Sequence, residues 1–411
     1  MKLKSECAVC EKKILEEIFS LPKLPLTGRF SPNPMAKMPS GINQSLLYCV
    51  FCGHIQLAHQ VPPQALYDDT YYFRTSTSVK AKAGTEFFLS SLTQILGERN
   101  FSCVLDVGCN DLYLLQRLKG RAKVCVGIDP IWEEKKISSR HSEEHRDEES
   151  HPEKILRFAQ NDDTSITVIG GTVEEIDLKT VLPQAPELIV CRHTLEHIAR
   201  AKQVLEKLFS AAKPGAVFCF EVPGFDVLLE RFRFDQVFHE HLNYFSLAAF
   251  QRLIEEAGGE YLGHRENRHD WGALFIAFRK KKVPLRAKTK GRYALKEIQE
   301  RYAVFQNFMR TMAGTIRNLP GEVYGFGAAQ MLPVLAYHLK TDFSRFKTIL
   351  DDDPAKAGLF YWNLPLKIQS SGQVKLSDAS IVLTALDNAQ PILSKLLQNR
   401  PKNIVVPMVM I

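Results

Sequence analysis

Apolar residues in this chain fall into two series of short runs, each interleaved with helical stretches. The first series occupies residues 103–107, 123–128, 188–191 and 216–222. The second occupies 322–325, 348–350, 381–384 and 403–407. Short apolar runs alternating with helical periodicity predict βαβ units on mostly parallel sheets, an α/β fold. Residues 112–118 and 330–339 read as the helix after the first strand of each series, and 293–317 reads as one amphipathic helix between them. Residues 1 to about 65 are rich in Pro and lack sustained periodicity. The link Arg279-Lys280-Lys281-Lys282-Val283-Pro284 is basic and ends in Pro, as expected between folded units. Three domains follow, over residues 1–70, 71–285 and 286–411.

One segment breaks the pattern. Residues 133–163 are crowded with charge and His, as in Ser142-Glu143-Glu144-His145-Arg146-Asp147-Glu148-Glu149, and offer few apolar anchors. Such a run cannot bury enough surface to order itself, so a mobile, disordered insertion is expected there.

Composition narrows the class only a little. The 411 residues are 45% hydrophobic and 24% charged, the balance of a globular protein, and the net charge of +7 suits an enzyme for anionic small molecules as well as a nucleic-acid binder. The region between the cysteine pairs is mainly Pro and apolar residues rather than clustered Lys and Arg, so no nucleic-acid partner is expected. Nothing approaches the roughly 18 consecutive apolar residues of a membrane span, and Met1-Lys2-Leu3-Lys4-Ser5-Glu6 opens no signal peptide. A cytoplasmic setting without membrane association is expected; oligomeric state is left open.

In a reducing compartment, paired cysteines more often hold metal than form bridges. Cys7-Ala8-Val9-Cys10 and Cys49-Val50-Phe51-Cys52 present two thiolate knuckles, the tetrahedral set that zinc prefers. Four protein ligands leave no open position, so Cys7, Cys10, Cys49 and Cys52 point to a structural zinc. His54 reads as a surface neighbour rather than a ligand. Cys103, Cys109, Cys125, Cys191 and Cys219 lie in or beside apolar runs and read as small buried hydrophobes.

The turn after the first strand carries candidate chemistry. Val104-Leu105-Asp106-Val107-Gly108-Cys109-Asn110 predicts a strand over 101–107 that ends in an acid, then a glycine turn and a helix N-terminus. Gly108 lets the backbone approach a ligand, and the helix end supplies positive potential. Asp129 ends the next run 23 residues after Asp106, where nucleotide-binding α/β folds place an acceptor for ribose hydroxyls. A strand–Gly–helix turn also serves as plain scaffolding; Asp129 at this remove favours a cofactor. A dinucleotide calls for three glycines around its pyrophosphate, whereas one glycine suits S-adenosylmethionine (SAM), which has none. Asp106, Gly108, Asn110 and Asp129 are the expected cofactor contacts. Thr172 and Val173 join them by position after the third strand, and Arg192 by its place at the exit of the next.

Two histidine-rich segments follow. Arg192-His193-Thr194-Leu195-Glu196-His197-Ile198 lies at the carboxyl edge of the predicted sheet, although His193 and His197 also fit ordinary helix-start polar residues. Asp235-Gln236-Val237-Phe238-His239-Glu240-His241-Leu242-Asn243-Tyr244-Phe245 is dense in groups that move protons near neutral pH. In an extended segment His239 and His241 would share a face. Its spacing differs from the H-E-x-x-H of a zinc helix, so acid/base chemistry is favoured over metal.

Taken in order, these motifs resemble the three-domain deoxysugar C-methyltransferases that act on nucleotide-linked keto-sugars. The resemblance runs through the four cysteines, Tyr71-Tyr72-Phe73-Arg74, the turn at 106–111, Glu196-His197-Ile198 and Phe238-His239-Glu240-His241. It continues in Tyr324-Gly325-Phe326-Gly327-Ala328 and Asp351-Asp352-Asp353-Pro354-Ala355-Lys356. It implies a zinc-binding domain, a class I SAM-methyltransferase Rossmann-like domain and a C-terminal Rossmann-like domain. It also implies methylation of a carbon beside a ketone through an enolate, on a nucleotide-linked sugar. His241 would be the base, with Glu240 orienting it, His239 beside it, and Tyr244 hydrogen-bonding the sugar or the enolate oxygen. A SAM-dependent O- or N-methyltransferase is the alternative. The chain departs from the family at Phe238, where Tyr is common, at Leu112, where the turn usually has Gly, and around Asp270-Trp271-Gly272, which lacks a His-Gly-Gly-Ser-like run. Gly325-Phe326-Gly327-Ala328 with Asp351 could form a second nucleotide turn or a scaffold covering the sugar nucleotide.

Overall fold

The computed structural model describes residues 2–34, 40–62, 66, 75–132, 155–158, 166–269, 272–281 and 288–409. Tyr71-Tyr72-Phe73-Arg74, most of the 133–163 segment, Asp270, Trp271 and link residues 282–287 lie outside them. Among the described residues no helix is long and apolar enough to cross a membrane.

An eight-stranded mixed sheet lies at the centre. Its strands are β1 (Phe101–Val107), β2 (Ala122–Asp129), β3 (Ile155–Phe158), β4 (Ile166–Gly170), β5 (Leu188–Arg192), β6 (Val217–Pro223), β7 (Gly259–Asn267) and β8 (Ala273–Lys280). They lie in the order β7-β8-β6-β5-β1-β2-β4-β3. β1, β2, β4, β5 and β6 are parallel; β8 is antiparallel to β6, and β7 pairs antiparallel with β8. The inner strands read as unbroken apolar runs because both faces are covered. On one face Phe88 and Leu92 of the helix Val79–Leu96 meet Val104, Cys125 and Val190. On the other, Phe218, Phe220 and Phe278 interlock with Phe209 and Phe250 from the helices Ala201–Ala211 and Leu247–Glu256. Each buried Phe contributes about 1.5–3 kcal/mol. Ser246 starts the second of these helices by accepting a bond from the Ala249 amide at 3.2 Å.

Strand order reverses at β1 and β5, leaving a crevice beyond their carboxyl ends. The five cysteines of the central sheet are all buried, as their apolar settings predict. The 133–163 segment corrects the expectation of a wholly unstructured insertion: its residues Ile155–Phe158 form β3, which extends the sheet edge beside β4.

The N-terminal region has more regular structure than its sequence suggests. Leu15–Leu24, Ile42–Cys49 and Ile55–Leu57 form an antiparallel sheet. Register shifts between Glu17 and Phe19, and between Leu21 and Leu24, interrupt the two-residue alternation by which a strand is recognised. A fourth strand, Asn243–Tyr244, comes from the histidine-rich block and pairs with Ile55–Leu57.

The C-terminal sheet is parallel, in the spatial order Ile368–Ser370, Ile349–Asp351, Val323–Phe326, Ser380–Leu383, Asn403–Val405. That is the 3-2-1-4-5 order of a Rossmann-like fold. The helix Leu295–Arg317 joins this region to the N-terminal sheet: the rings of Tyr302 and Phe19 stack at 3.6 Å, and Phe305 packs edge-on against His338.

Candidate active site

The four predicted metal ligands converge. All are buried, and their sulfurs lie within 4.8 Å of one another. The Cys7–Cys52 and Cys10–Cys49 separations of 3.5 and 3.6 Å are far longer than a disulfide and close to the edge of a tetrahedron with roughly 2.3 Å metal–sulfur bonds. The donor set therefore fits a closed zinc site. His54 is not a surface residue: it is fully buried, and Nε2 lies 3.2 Å from Oδ1 of Asn243.

The glycine turn sits at the crevice. Gly108 has φ +78°, and its amide bonds the Ile128 carbonyl at 2.8 Å. A Cβ at this position would come within 1.9 Å of Thr194 Oγ1, so only Gly fits. Asp106 is buried with Oδ1 unpartnered; burial, reinforced by Asp129 and opposed by Arg192, pushes its pKa up to about 8. Asp129 accepts the Asn110 amide at 2.9 Å and the Ile131 amide at 2.9 Å, fastening the turn to the end of β2. An unpartnered buried carboxylate oxygen beside a glycine cradle fits a polar, cationic cofactor such as SAM. Leu112 occupies a left-handed conformation, φ +67°, with its side chain buried in the core. Arg192 pairs with Glu221 through Nε at 2.5 Å and reaches Thr85 at 3.4 Å, bracing β5 against β6 and the first helix. Val173 is buried in the core, whereas Thr172 is part-exposed and bonds Glu175 at 3.1 Å.

The histidine block is not extended: residues 238–242 form a turn, and its side chains diverge. His239 points into the N-terminal sheet, where Nε2 meets the Leu24 carbonyl at 3.0 Å and Nδ1 lies 3.5 Å from Gln44 Nε2. The Glu240 carboxylate faces Thr27, not His241, and burial raises its pKa. The Tyr244 hydroxyl accepts the Phe238 amide at 3.1 Å, holding the turn. His241 alone of the block turns toward the β5 exit. There its ring nitrogen lies within 4.8 Å of ligand atoms of Glu196 and His197, and its ring stands edge-on to that of His197 at 5.0 Å. His197 Nδ1 donates to the Glu240 carbonyl at 2.8 Å, so Glu240 contributes through its backbone.

Burial and the nearby His197 push His241 down to about 3, with Glu196 opposing. Glu196 itself is fully buried; burial would raise its pKa, but the facing histidines hold it down at about 2. The sequence placed Glu196-His197 at a strand exit and among the family motifs; folding brings Glu196 within 4.8 Å of the His241 ring nitrogen. The cleft at His241 is lined also by Phe238, Tyr244 and Pro223, and by Met331 and Asp387 of the C-terminal region. Asp387 is locked there by Arg233 at 3.0 Å and Gln236 at 2.9 Å.

The C-terminal glycine turn is closed upon itself. Asp351 accepts the Ala328 amide at 2.5 Å and lies 3.5 Å from Lys356 Nζ, while Gly28 of the N-terminal region donates to the Gln330 carbonyl at 2.6 Å. The turn is thus in direct contact with the N-terminal loop.

Residues 81–263 match the family model described as "Methyltransferase domain", and residues 7–67 match that described as "Putative zinc binding domain". The chain therefore joins a zinc-binding domain to a SAM-dependent methyltransferase domain of the class I Rossmann-like fold. Among characterised relatives, C-methyltransferase NovU of Streptomyces niveus is 23% identical over 255 residues, 62% of this chain and 55% of that protein. The chain thus matches about half the length of that relative. Solved structures that resemble it include the N-methyltransferase NodS of Bradyrhizobium japonicum, 13% identical over 49% of this chain and 97% of that one, TM-score 0.33. A SAM-dependent methyltransferase from Mesorhizobium loti is 11% identical over 50% of this chain and 99% of that one, TM-score 0.33.

Proposed function

We propose that this protein is a C-methyltransferase that methylates the carbon beside the ketone of a nucleotide-linked keto-deoxysugar, through an enolate. One observation carries the reading: a buried imidazole, His241, lines the cleft within 4.8 Å of a buried carboxylate, Glu196. O- or N-methylation needs no base for a carbon-bound proton, whereas a ketone acidifies its neighbouring C–H for a base to remove. The description of the Streptomyces niveus relative as a C-methyltransferase supports carbon as the acceptor.

In this mechanism Asp106, Gly108 and Asp129 would hold SAM, which when bound would supply an electrophilic methyl group. His241 accepts the proton from the carbon beside the ketone. Its depressed pKa keeps the ring free of a proton beforehand, and Glu196 favours the imidazolium that forms. His197, fixed by the Glu240 carbonyl, stands edge-on to the same ring. Met331 and Asp387 reach the same cleft, which supports a role for the C-terminal region in covering the sugar nucleotide.

The test is incubation with SAM and thymidine-diphosphate-4-keto-6-deoxyglucose in deuterated water, with the product read by NMR. A new carbon–methyl bond and loss of one adjacent C–H are expected. Methyl on oxygen or nitrogen, with that C–H intact, would refute the enolate route.

A further inference from the structure

A row of charged groups runs from the base toward solvent, and the reaction above leaves its outer part without a role. Neither carboxylate oxygen of the buried Glu196 has a conventional hydrogen bond; the nearest donors are His193 Nδ1 at 3.5 Å and His197 Nε2 at 4.0 Å. Glu221, equally buried, meets Arg192 Nε at 2.5 Å and His193 Nε2 at 3.2 Å. The His193 ring therefore lies between two buried carboxylates, one nitrogen toward each, yet its side chain stays 28% exposed.

Buried carboxylates persist as ions only when they are paired. Arg192 and a protonated His193 balance Glu196 and Glu221, and His241 stays uncharged. Burial would lower the pKa of His193, but the two carboxylates outweigh it and raise it to about 9. A proton arriving on His241 gives the cluster a net positive charge in a medium of low dielectric. Loss of a proton from His193 to water restores the balance.

We propose that His193 is the solvent-side member of a relay that exports the proton taken up by His241, with Glu196 as the carboxylate common to both. This rests on the enolate reading. The C–H bond breaks with its electron pair left in the enolate, and the proton goes to His241. His193, protonated between the two carboxylates, gives up a proton to water at its exposed edge. Glu196, within 4.8 Å of the His241 nitrogen and 3.5 Å from His193 Nδ1, takes the proton from His241 as the side chains close on one another and passes it to His193, so one proton leaves per enolisation and His241 is again a free base.

The backbone suggests the substitution to use. His193 sits at φ +50° with its amide bonded to the Glu221 carbonyl at 2.8 Å, a conformation that Asn also tolerates. His193→Asn cannot carry a proton through the site. The experiment measures deuterium wash-in beside the ketone of thymidine-diphosphate-4-keto-6-deoxyglucose in deuterated water, with S-adenosylhomocysteine bound so that no methyl is transferred. Melting temperature and S-adenosylhomocysteine affinity serve as controls for folding. Wash-in should fall roughly tenfold or more in His193→Asn and be restored by added imidazole, which can enter at this exposed position. Wash-in at the wild-type rate, or a loss that imidazole does not restore, overturns the relay. If the wild type itself neither exchanges nor methylates carbon, the enolate reading fails and the relay with it. Wild-type exchange with an unaffected variant overturns the relay alone.

Discussion

His54, two residues beyond the last zinc ligand, donates from Nε2 to Oδ1 of Asn243 at 3.2 Å, and the amide of Asn243 donates to the Ile198 carbonyl at 2.7 Å. One buried side chain thus ties the zinc knuckle to both segments that carry the histidine cluster, the β5 exit and the turn before Asn243. The adjoining strand pairing of Asn243–Tyr244 with Ile55–Leu57 makes the same connection through the backbone.

Asn243→Ala leaves the Ile198 carbonyl and the His54 ring without partners. The cost of such unmade buried bonds is about 1–3 kcal/mol, measurable as a lower denaturant midpoint. Zinc content should stay unchanged, because none of the four sulfurs is touched. Methyl transfer should fall more than SAM affinity does.

Elemental analysis should find one zinc for each chain, and Cys10→Ser should lose it. Because the knuckle and the His241 turn share a sheet, loss of zinc should lower the melting temperature of the whole chain. A variant that lacked zinc and still melted like the wild type would separate the two regions.

Leu112 gives a differential prediction. Leu112→Ala and Leu112→Gly remove the same buried side chain, but only Gly is at ease at φ +67°. The left-handed conformation costs a residue with a Cβ about 1–2 kcal/mol, so the Gly variant should be the more stable by about 1 kcal/mol. The usual order at an ordinary helical site is the reverse.

His241→Asn should lower methyl transfer by about 10²–10⁴-fold, the range of a general base, while SAM affinity measured by calorimetry changes little. Unchanged turnover would place the base elsewhere.

The cluster also fixes how stability varies with pH. His241 is depressed to about 3 in the folded protein, so its contribution is full above the ordinary imidazole value and is lost as pH falls from there toward 3. His193 is raised to about 9, so its contribution is full below the ordinary value and is lost as pH rises toward 9. Stability arising from this cluster should peak near the imidazole value, at about pH 6.5. Denaturant midpoints across pH should lose the acid limb in His241→Asn and the alkaline limb in His193→Asn.

Much of this protein was fixed locally. The strand Phe101–Val107, its terminal Asp106, Gly108 and the acid at Asp129 are legible because a buried parallel strand needs an unbroken apolar run and a close-packed turn needs Gly. The four zinc ligands are legible because two C-x2-C knuckles supply the tetrahedral thiolate set that zinc prefers. The long N-terminal strands were not, since their register shifts break the alternation. Side-chain direction in the His-Glu-His block was decided only by tertiary structure. A two-residue period holds in an extended chain, but this segment turns; His239 is drawn into the N-terminal sheet, and His241 faces the β5 exit. The carboxylate brought to His241 is accordingly that of Glu196, 45 residues away in sequence, rather than that of the adjacent Glu240. Sequence named the groups able to move protons, and folding chose among them, because burial and pairing depend on what the rest of the chain brings to each side.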